Sequence, residues 1–242
     1  MSELLFISVF NYGGIEMAKN HLESLKRNNI SNYVAYVTDD ESYDELLLND
    51  YKVTKYISSV DSINKEKNDF ATPEFNNLSY IRYKIINNLL KQGKIVWYLD
   101  IDTVVLYNLN DFYNSLQKEF DMCFQNDINM LCTGCMLMMP NIKTIELTQF
   151  MYSNKNNTYN DQVFINNLFK NNPLVFRILV LSENQFPNGL LYFNELKPEP
   201  HFREAQEKFN NSTESVYFVH ANYMVGIQTK IDAFKSKNLW FI

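Results

Sequence analysis

The chain has 242 residues, enough for one α/β domain with a substantial core. Hydrophobic residues make up 46% and charged residues 21%, an ordinary globular composition; the net charge of -6 comes with no basic stripe, which argues against a nucleic-acid partner. No run approaches ~20 consecutive apolar residues, so no transmembrane anchor is expected. Residues 1–10 lack a basic n-region and a small-residue cleavage site and read as a first strand, which sets a cytoplasmic location as the expectation. The 3 cysteines make no disulfide framework, and Cys132-Thr-Gly-Cys135, a CxxC without a second pair, reads as buried thiols in a strand.

In chain order, Leu4–Phe10 is predicted as a strand and Ile15–Asn28 as a helix with Met17, Leu22 and Leu25 on its apolar face. Tyr33–Val37 is a second strand, Ser42–Leu48 a short helix and Lys52–Ile57 a third strand. This alternation predicts a mainly parallel sheet with right-handed crossovers. Ser58–Pro73 is a polar loop, and Leu78–Leu90 a helix leading into the apolar run Lys94–Leu106. Asp121–Gln125 and Gly134–Met139 are further strands, Ile142–Tyr152 and Asp161–Lys170 helices. Leu174–Leu181 and Val216–Val219 are short strands, and Ile227–Lys237 closes the chain as a helix. With no repeat or linker, residues 1–242 are expected to form one domain.

The most informative residues are Asp100-Ile101-Asp102, in the run that begins after Gly93. The stretch before Asp100 is rich in β-branched and aromatic residues and reads as a buried strand. Strand residues rise ~3.3 Å each and alternate faces, so the two carboxylates should point the same way, roughly 6 to 7 Å apart. Unpaired carboxylates there are costly to desolvate, and a divalent cation relieves that cost; hard oxygen ligands suit Mg²⁺ or Mn²⁺. The plain alternative is a solvent-facing or helix-capping pair. In open α/β sheets ligands sit beyond the carboxyl ends of strands. Asn11-Tyr12-Gly13-Gly14, Thr38-Asp39, Asp100-Ile101-Asp102 and His220 all fall at such ends.

His220, leaving the Ser215–Val219 strand, is a candidate nitrogen ligand, or else a structural histidine. Arg82 and Lys84 are spaced i and i+2 on a helix, so at most one of them can face the site. A guanidinium there would suit a diphosphate, against the alternative of solvated helix charges; Lys230 is a weaker cation of the same kind. Asn160-Asp161-Gln162 opens a helix: the ordinary reading is an N-cap, and the other is that Asp161 or Gln162 projects into the site. Tyr12 is a candidate for base contact or a turn residue.

Taken together, the chain resembles the metal-dependent GT-A-type glycosyltransferases that use nucleotide sugars. Within them it is most similar to the nucleotide-diphospho-sugar transferase family that includes plant arabinosyl- and xylosyltransferases. A more distant likeness is to glycogenin-like and bacterial galactosyltransferases. The likeness covers nearly the whole chain. It runs through Asn11, the Asn20–Leu25 helix, Arg82-Tyr-Lys84, Trp97-Tyr-Leu-Asp-Ile-Asp102 and Thr133-Gly134. It continues through Asp161-Gln162, Phe186-Pro-Asn-Gly189 and the stretch from His220 to Gly226.

The resemblance implies a single GT-A, Rossmann-like domain and Asp100, Asp102 and His220 as ligands of Mn²⁺ or Mg²⁺. It implies a UDP-sugar donor, a carbohydrate or other hydroxylated acceptor, and retention of anomeric configuration. Asn11, Tyr12 and Asp39 would lie toward the base and Asp102 toward the ribose. Arg82 would lie toward the diphosphate or sugar, with Lys230 a looser cation of the same kind, and Lys84, Ile101, Thr133, Gly134 and Gly226 counted among the donor-binding residues. Asp161, Gln162 and Arg82 would serve the sugar under attack. The family's Asn ahead of the small-residue–Gly pair is Cys132 here, and its C-terminal lysine is matched only loosely by Lys230. Two rivals stand beside this. Asp100-Ile-Asp102-Thr103 also fits a haloacid-dehalogenase-type phosphatase with Asp100 as nucleophile, although that motif ordinarily follows the first strand. A non-catalytic nucleotide- or carbohydrate-binding module is the other.

Overall fold

Phe6 and Trp97 stack at 5.4 Å on one face of a seven-stranded sheet, and Ile7, Val96 and Tyr98 pack on the other. The computed structural model describes residues 2–58, 72–155, 160–172, 175–194 and 199–242. Strands β1 (Leu4–Phe10), β2 (Tyr33–Val37) and β3 (Val53–Lys55) run parallel, with β1 also parallel to β4 (Ile95–Leu99). Because neighbouring residues of β1 and β4 enter opposite cores, both strands read as unbroken apolar runs. Beyond β4 lies β7 (Leu131–Met138), antiparallel to both its neighbours, then β6 (Met122–Asn126) and β8 (Ile178–Leu181). The order is β3-β2-β1-β4-β7-β6-β8, so the sheet is mainly parallel, as expected.

Helices cover both faces: α1 (Ile15–Arg27), α2 (Asp40–Leu48), α3 (Pro73–Lys91), α4 (Leu109–Ser115), α5 (Ile142–Ser153) and α6 (Asp161–Asn171), followed by α7 (Gly189–Tyr192), α8 (Pro200–Asn210) and α9 (Ile227–Ser236). The chain leaves β1 toward β2 on one side, while β4 lies on the other. The carboxyl ends of β1 and β4 therefore flank a switch point where loops diverge and leave a crevice.

The apolar run Lys94–Leu106 is not one strand. β4 stops at Leu99, the chain turns through Asp100–Asp102, and β5 (Thr103–Val105) leaves the sheet to pair antiparallel with β9 (Phe218–His220). His21 and Ser24 of α1, with the half-buried Asn28 that ends the helix, complete the backbone of β5. His21 Nδ1 lies 3.0 Å from the Thr103 carbonyl, Val105 N–H donates to Ser24 Oγ at 3.0 Å, and Asn28 Nδ2 donates to the Val105 carbonyl at 2.9 Å. Backbone groups without a sheet partner need such substitutes.

Other boundaries shift modestly. The strand predicted over Lys52–Ile57 shortens to β3, Val216–Val219 becomes Phe218–His220, and Leu174–Leu181 becomes Ile178–Leu181, with Leu174 outside the described residues. Most of the predicted loop Ser58–Pro73 also lies outside them, and the chain after Thr72 is already helical. Helices α4, α7 and α8 were not anticipated. Cys123, Cys132 and Cys135 are buried free thiols, and burial pushes the Cys135 pKa up to about 12. No helix among the described residues is long and apolar enough to cross a membrane.

Candidate active site

At the switch point the turn after β4 brings Asp100 and Asp102 against the end of β9. Ligand atoms of Asp100, Asp102 and His220 all lie within 4.8 Å of one another. The pairing Thr103↔His220, with Ala221 N–H donating to the Asp102 carbonyl at 2.8 Å, fixes this meeting across 118 residues of chain. The carboxylates converge because the chain turns at Ile101, not because a strand pleat alternates through them.

Each of the three side chains is held from behind. Asp100 Oδ1 accepts from the Tyr98 hydroxyl at 2.5 Å and from Arg82 Nη1 at 3.2 Å, leaving Oδ2 to face His220 Nε2 at 3.9 Å. Asp102 Oδ1 is 3.1 Å from His220 Nε2, and its Oδ2 is 2.5 Å from Lys230 Nζ. His220 Nδ1 lies 2.9 Å from Gln125 Oε1, and Gln125 Nε2 donates to the Phe186 carbonyl at 3.0 Å. With its nitrogen committed there, the Gln125 oxygen accepts from Nδ1–H and leaves Nε2 as the atom facing the carboxylates.

The two carboxyls differ electrostatically. Burial raises the Asp100 pKa above its ordinary value despite Arg82, and the neighbouring Asp102 adds to the rise. Burial would raise Asp102 as well, but Lys230 and His220 hold it well below the usual carboxylate range. Burial alone would lower His220, and Asp102 more than offsets this, so its pKa is raised. Two carboxylates and an imidazole, with one atom of each turned inward, form a donor set suited to a hard divalent cation such as Mg²⁺ or Mn²⁺.

β7 forms the adjacent wall. A Cβ on Gly134 would stand 2.4 Å from His220 Cε1 and 2.5 Å from Asp100 Oδ2, so the strand approaches this closely only without a side chain there. Thr133 accepts from Arg82 Nη2 at 2.9 Å. Asn160 caps α6 by accepting from Gln162 N–H at 2.9 Å, which frees Asp161 to pair with Arg82 and to accept from the Tyr83 hydroxyl at 2.7 Å. Gln162 spans Thr133 N–H and Asp127, each at 3.1 Å. Gly226 has φ +92°, a left-handed conformation suited to glycine, and from there α9 carries Lys230 back to Asp102.

Not every predicted residue joins this group. Lys84, about 200° around α3 from Arg82, lies 3.3 Å from the Tyr152 hydroxyl and over the Tyr56 and Tyr152 rings, away from the carboxylate pair. Asp39 caps α2 through Ser42 N–H at 2.8 Å and also accepts from Tyr12 N–H at 2.8 Å, tying together the loops after β1 and β2. The Tyr12 ring is exposed and Asn11 is buried at the carboxyl end of β1. Ile101 packs where a Cβ on Gly14 would be 2.5 Å from its Cδ1, so Gly14 makes room for the turn. Sequence reasoning missed Tyr83, Gln125 and Asp127, whose site contacts are all tertiary, and Tyr98, whose contact with Asp100 two residues on is local but depends on the turn after β4.

The whole architecture is shared with solved glycosyltransferases. An active-site mutant of the galactosyltransferase LgtC superposes with a TM-score of 0.65 at 12% identity, covering 97% of this chain and 95% of that one. Mouse xyloside xylosyltransferase 1 gives 0.56 at 12% identity, covering 93% and 99%. The chain belongs to the nucleotide-diphospho-sugar transferase family, whose sequence model matches residues 28–234. It is 23% identical to a UDP-galactose:fucoside alpha-3-galactosyltransferase of Dictyostelium discoideum, over 96% of this chain and 42% of that protein. It is 24% identical to UDP-D-xylose:L-fucose alpha-1,3-D-xylosyltransferase 3 of Arabidopsis thaliana, over 72% of this chain and 49% of that protein. The chain thus spans about half the length or less of these curated relatives. Family membership sets aside the phosphatase alternative, in which Asp100 would be a nucleophile on the first strand; here it follows the fourth.

Proposed function

We propose that residues 1–242 act as one metal-dependent glycosyltransferase domain that moves a sugar from a UDP-sugar to an acceptor hydroxyl with retention of configuration. The observation that carries this is the convergence of Asp100, Asp102 and His220 within 4.8 Å at the switch point of the sheet. The names of the relatives add support, since both transfer from a UDP-sugar to a fucose-bearing acceptor.

In this reading Asp100, Asp102 and His220 hold Mn²⁺ or Mg²⁺, which when bound supplies positive charge to the departing diphosphate. Lys230, already against Asp102, adds a second cation on the same side, and Arg82 contributes fixed positive charge from behind Asp100 and Asp161. Asn11, Tyr12 and Asp39 border the base end; Ile101, Thr133, Gly134 and Gly226 line the donor. The acceptor oxygen bonds to the anomeric carbon as that carbon's bond to the diphosphate oxygen breaks. The electron pair leaves with UDP, and the acceptor proton passes to a leaving phosphate oxygen on the same face, so no carboxylate base is required. Asp161 and Gln162 lie beside the sugar and stabilise its oxocarbenium character.

The test is UDP release from UDP-galactose and UDP-xylose with Mn²⁺, comparing the parent with Asp100→Ala and Asp102→Ala. Loss of release in both variants supports the reading. Undiminished release, or Mn²⁺-dependent UDP binding with no release by the parent toward any acceptor or water, overturns it.

A further inference from the structure

Asp127 lies in the turn between β6 and β7 and is 8% exposed, with the His220 imidazole as its nearby positive group and no lysine or arginine ion pair among the described residues. Its side chain meets amides from three separate elements, with the Tyr223 hydroxyl beside it. Gln162 Nε2, at the start of α6, donates to Oδ2 at 3.1 Å. Asn222 Nδ2, after β9, donates to Oδ1 at 3.0 Å, and Asn188 Nδ2, at the cap of α7, donates to the same oxygen at 3.4 Å. Burying a carboxylate among groups that are mostly neutral donors is costly, so the position uses something only an acceptor-only group supplies.

The other end of Gln162 shows what that is. Thr133 N–H donates to Gln162 Oε1 at 3.1 Å. A backbone N–H can only donate and a carboxylate can only accept. The two partners, on opposite ends of one amide, therefore dictate which atom of Gln162 points where. They also tie the amino end of α6 to β7, the strand whose Gly134 touches the carboxylate pair.

We propose that Asp127 is the positioning residue that fixes the amide orientation of Gln162 beside the reacting sugar. This rests on the proposed place of Gln162 near that sugar. Asp127 acts through Gln162, and through Asn222 it holds the chain just after His220 in register with α6.

Asp127→Asn tests the assignment because donor and acceptor can be counted. The new amide keeps its oxygen toward the two donors of Asn188 and Asn222, whose own oxygens are held by Leu191 N–H and Gly189 N–H, so its nitrogen meets Gln162 Nε2. If Gln162 turns over in response, its nitrogen meets Thr133 N–H. Either way two donors face each other, and about a tenfold to hundredfold fall in kcat for UDP release from UDP-galactose or UDP-xylose is the expected effect. Donor KM and Mn²⁺ affinity stay at the parent values. In a Gln162→Ala background the same substitution costs nothing further, since its target is gone. Combining Asp127→Asn with Gln162→Glu restores a partner to every donor, so the exchanged pair regains the thermal stability that each single change loses. An additive kcat loss in the Gln162→Ala background, or an exchanged pair no more stable than the sum of its singles, overturns the proposal. If Asp127→Asn alone fails to fold, recovery of folded protein in the exchanged pair supports it and failure to recover overturns it. If Gln162→Ala leaves kcat intact, the place of Gln162 beside the sugar is what fails, and the stability of the exchanged pair still decides whether Asp127 holds Gln162.

Discussion

A Cβ placed on Gly134 would lie 2.4 Å from Cε1 of His220. The His220 ring cannot retreat easily, because Gln125 holds its Nδ1 at 2.9 Å and Asp102 faces its Nε2 at 3.1 Å. Gly134→Ala should therefore force strain on His220 and on Asp100, whose Oδ2 the new Cβ would meet at 2.5 Å, weakening Mn²⁺ binding and costing about 1–3 kcal/mol of stability through overpacking. Isothermal titration with Mn²⁺ and a urea melt read the two effects separately. Parent-like affinity in the variant would mean that β7 does not confine the imidazole.

Gln125 touches no substrate in this account and still orients His220 in the proposed metal site. Groups that orient a ligand from behind are worth about 10–100-fold in metal affinity. Gln125→Ala is expected to weaken Mn²⁺ binding by about that factor, leaving UDP affinity without metal unchanged. Titrations with and without UDP check it; a variant that binds Mn²⁺ like the parent would show that Asp102 alone orients His220.

Arg82 serves Asp100, Asp161 and Thr133 at once with a planar fork, and a lysine ammonium cannot span all three. Arg82→Lys leaves at least one of these three groups without its partner, at a cost of about 3–5 kcal/mol if the buried Asp161 is the one lost. Chemical denaturation should show the drop, together with loss of UDP release. A stability change near zero would contradict the arrangement.

His21 gives the fold a pH dependence of known sign. Its Nδ1 faces the Thr103 carbonyl and its Nε2 lies 3.0 Å from Ser8 Oγ, and burial lowers its pKa from 6.5 to about 4. Between those values the unfolded chain binds a proton at His21 that the folded chain does not, so stability falls as pH drops from 6.5 toward 4. The contribution is about 3 kcal/mol when complete. His21→Gln, which keeps a donor and an acceptor, removes this slope. Parent and variant melts followed across that window should converge at the acid end if the variant starts lower; parallel curves would refute the assignment. His220, with its raised pKa, contributes with the opposite sign and is common to both proteins.

Much of this was legible in the chain because local patterns agreed with the final packing. β1, β2 and β4 are apolar runs bounded by turn residues, and α1 and α3 carry helical periodicity, so the parallel half of the sheet could be read directly. Asp100 and Asp102 announced themselves as carboxylates at the end of such a run. What brings His220 to them, the β5–β9 pair, was not legible, because three-residue strands that place Asp102 and His220 together across 118 residues leave no local signal. The same holds for Gln125 and Asp127, whose roles come from partners far away in sequence. Arg82 and Lys84 mark the boundary: helical geometry showed that they diverge, and tertiary packing decided which one met the carboxylates.

The most direct test of the central claim is a crystal soaked with MnCl₂ and UDP, with the ion located by its anomalous signal. The account predicts one peak bonded to a single oxygen of Asp100, a single oxygen of Asp102 and Nε2 of His220, with the UDP phosphates completing its shell. A peak elsewhere, or UDP bound in the crevice with no ion between it and those three side chains, would contradict it.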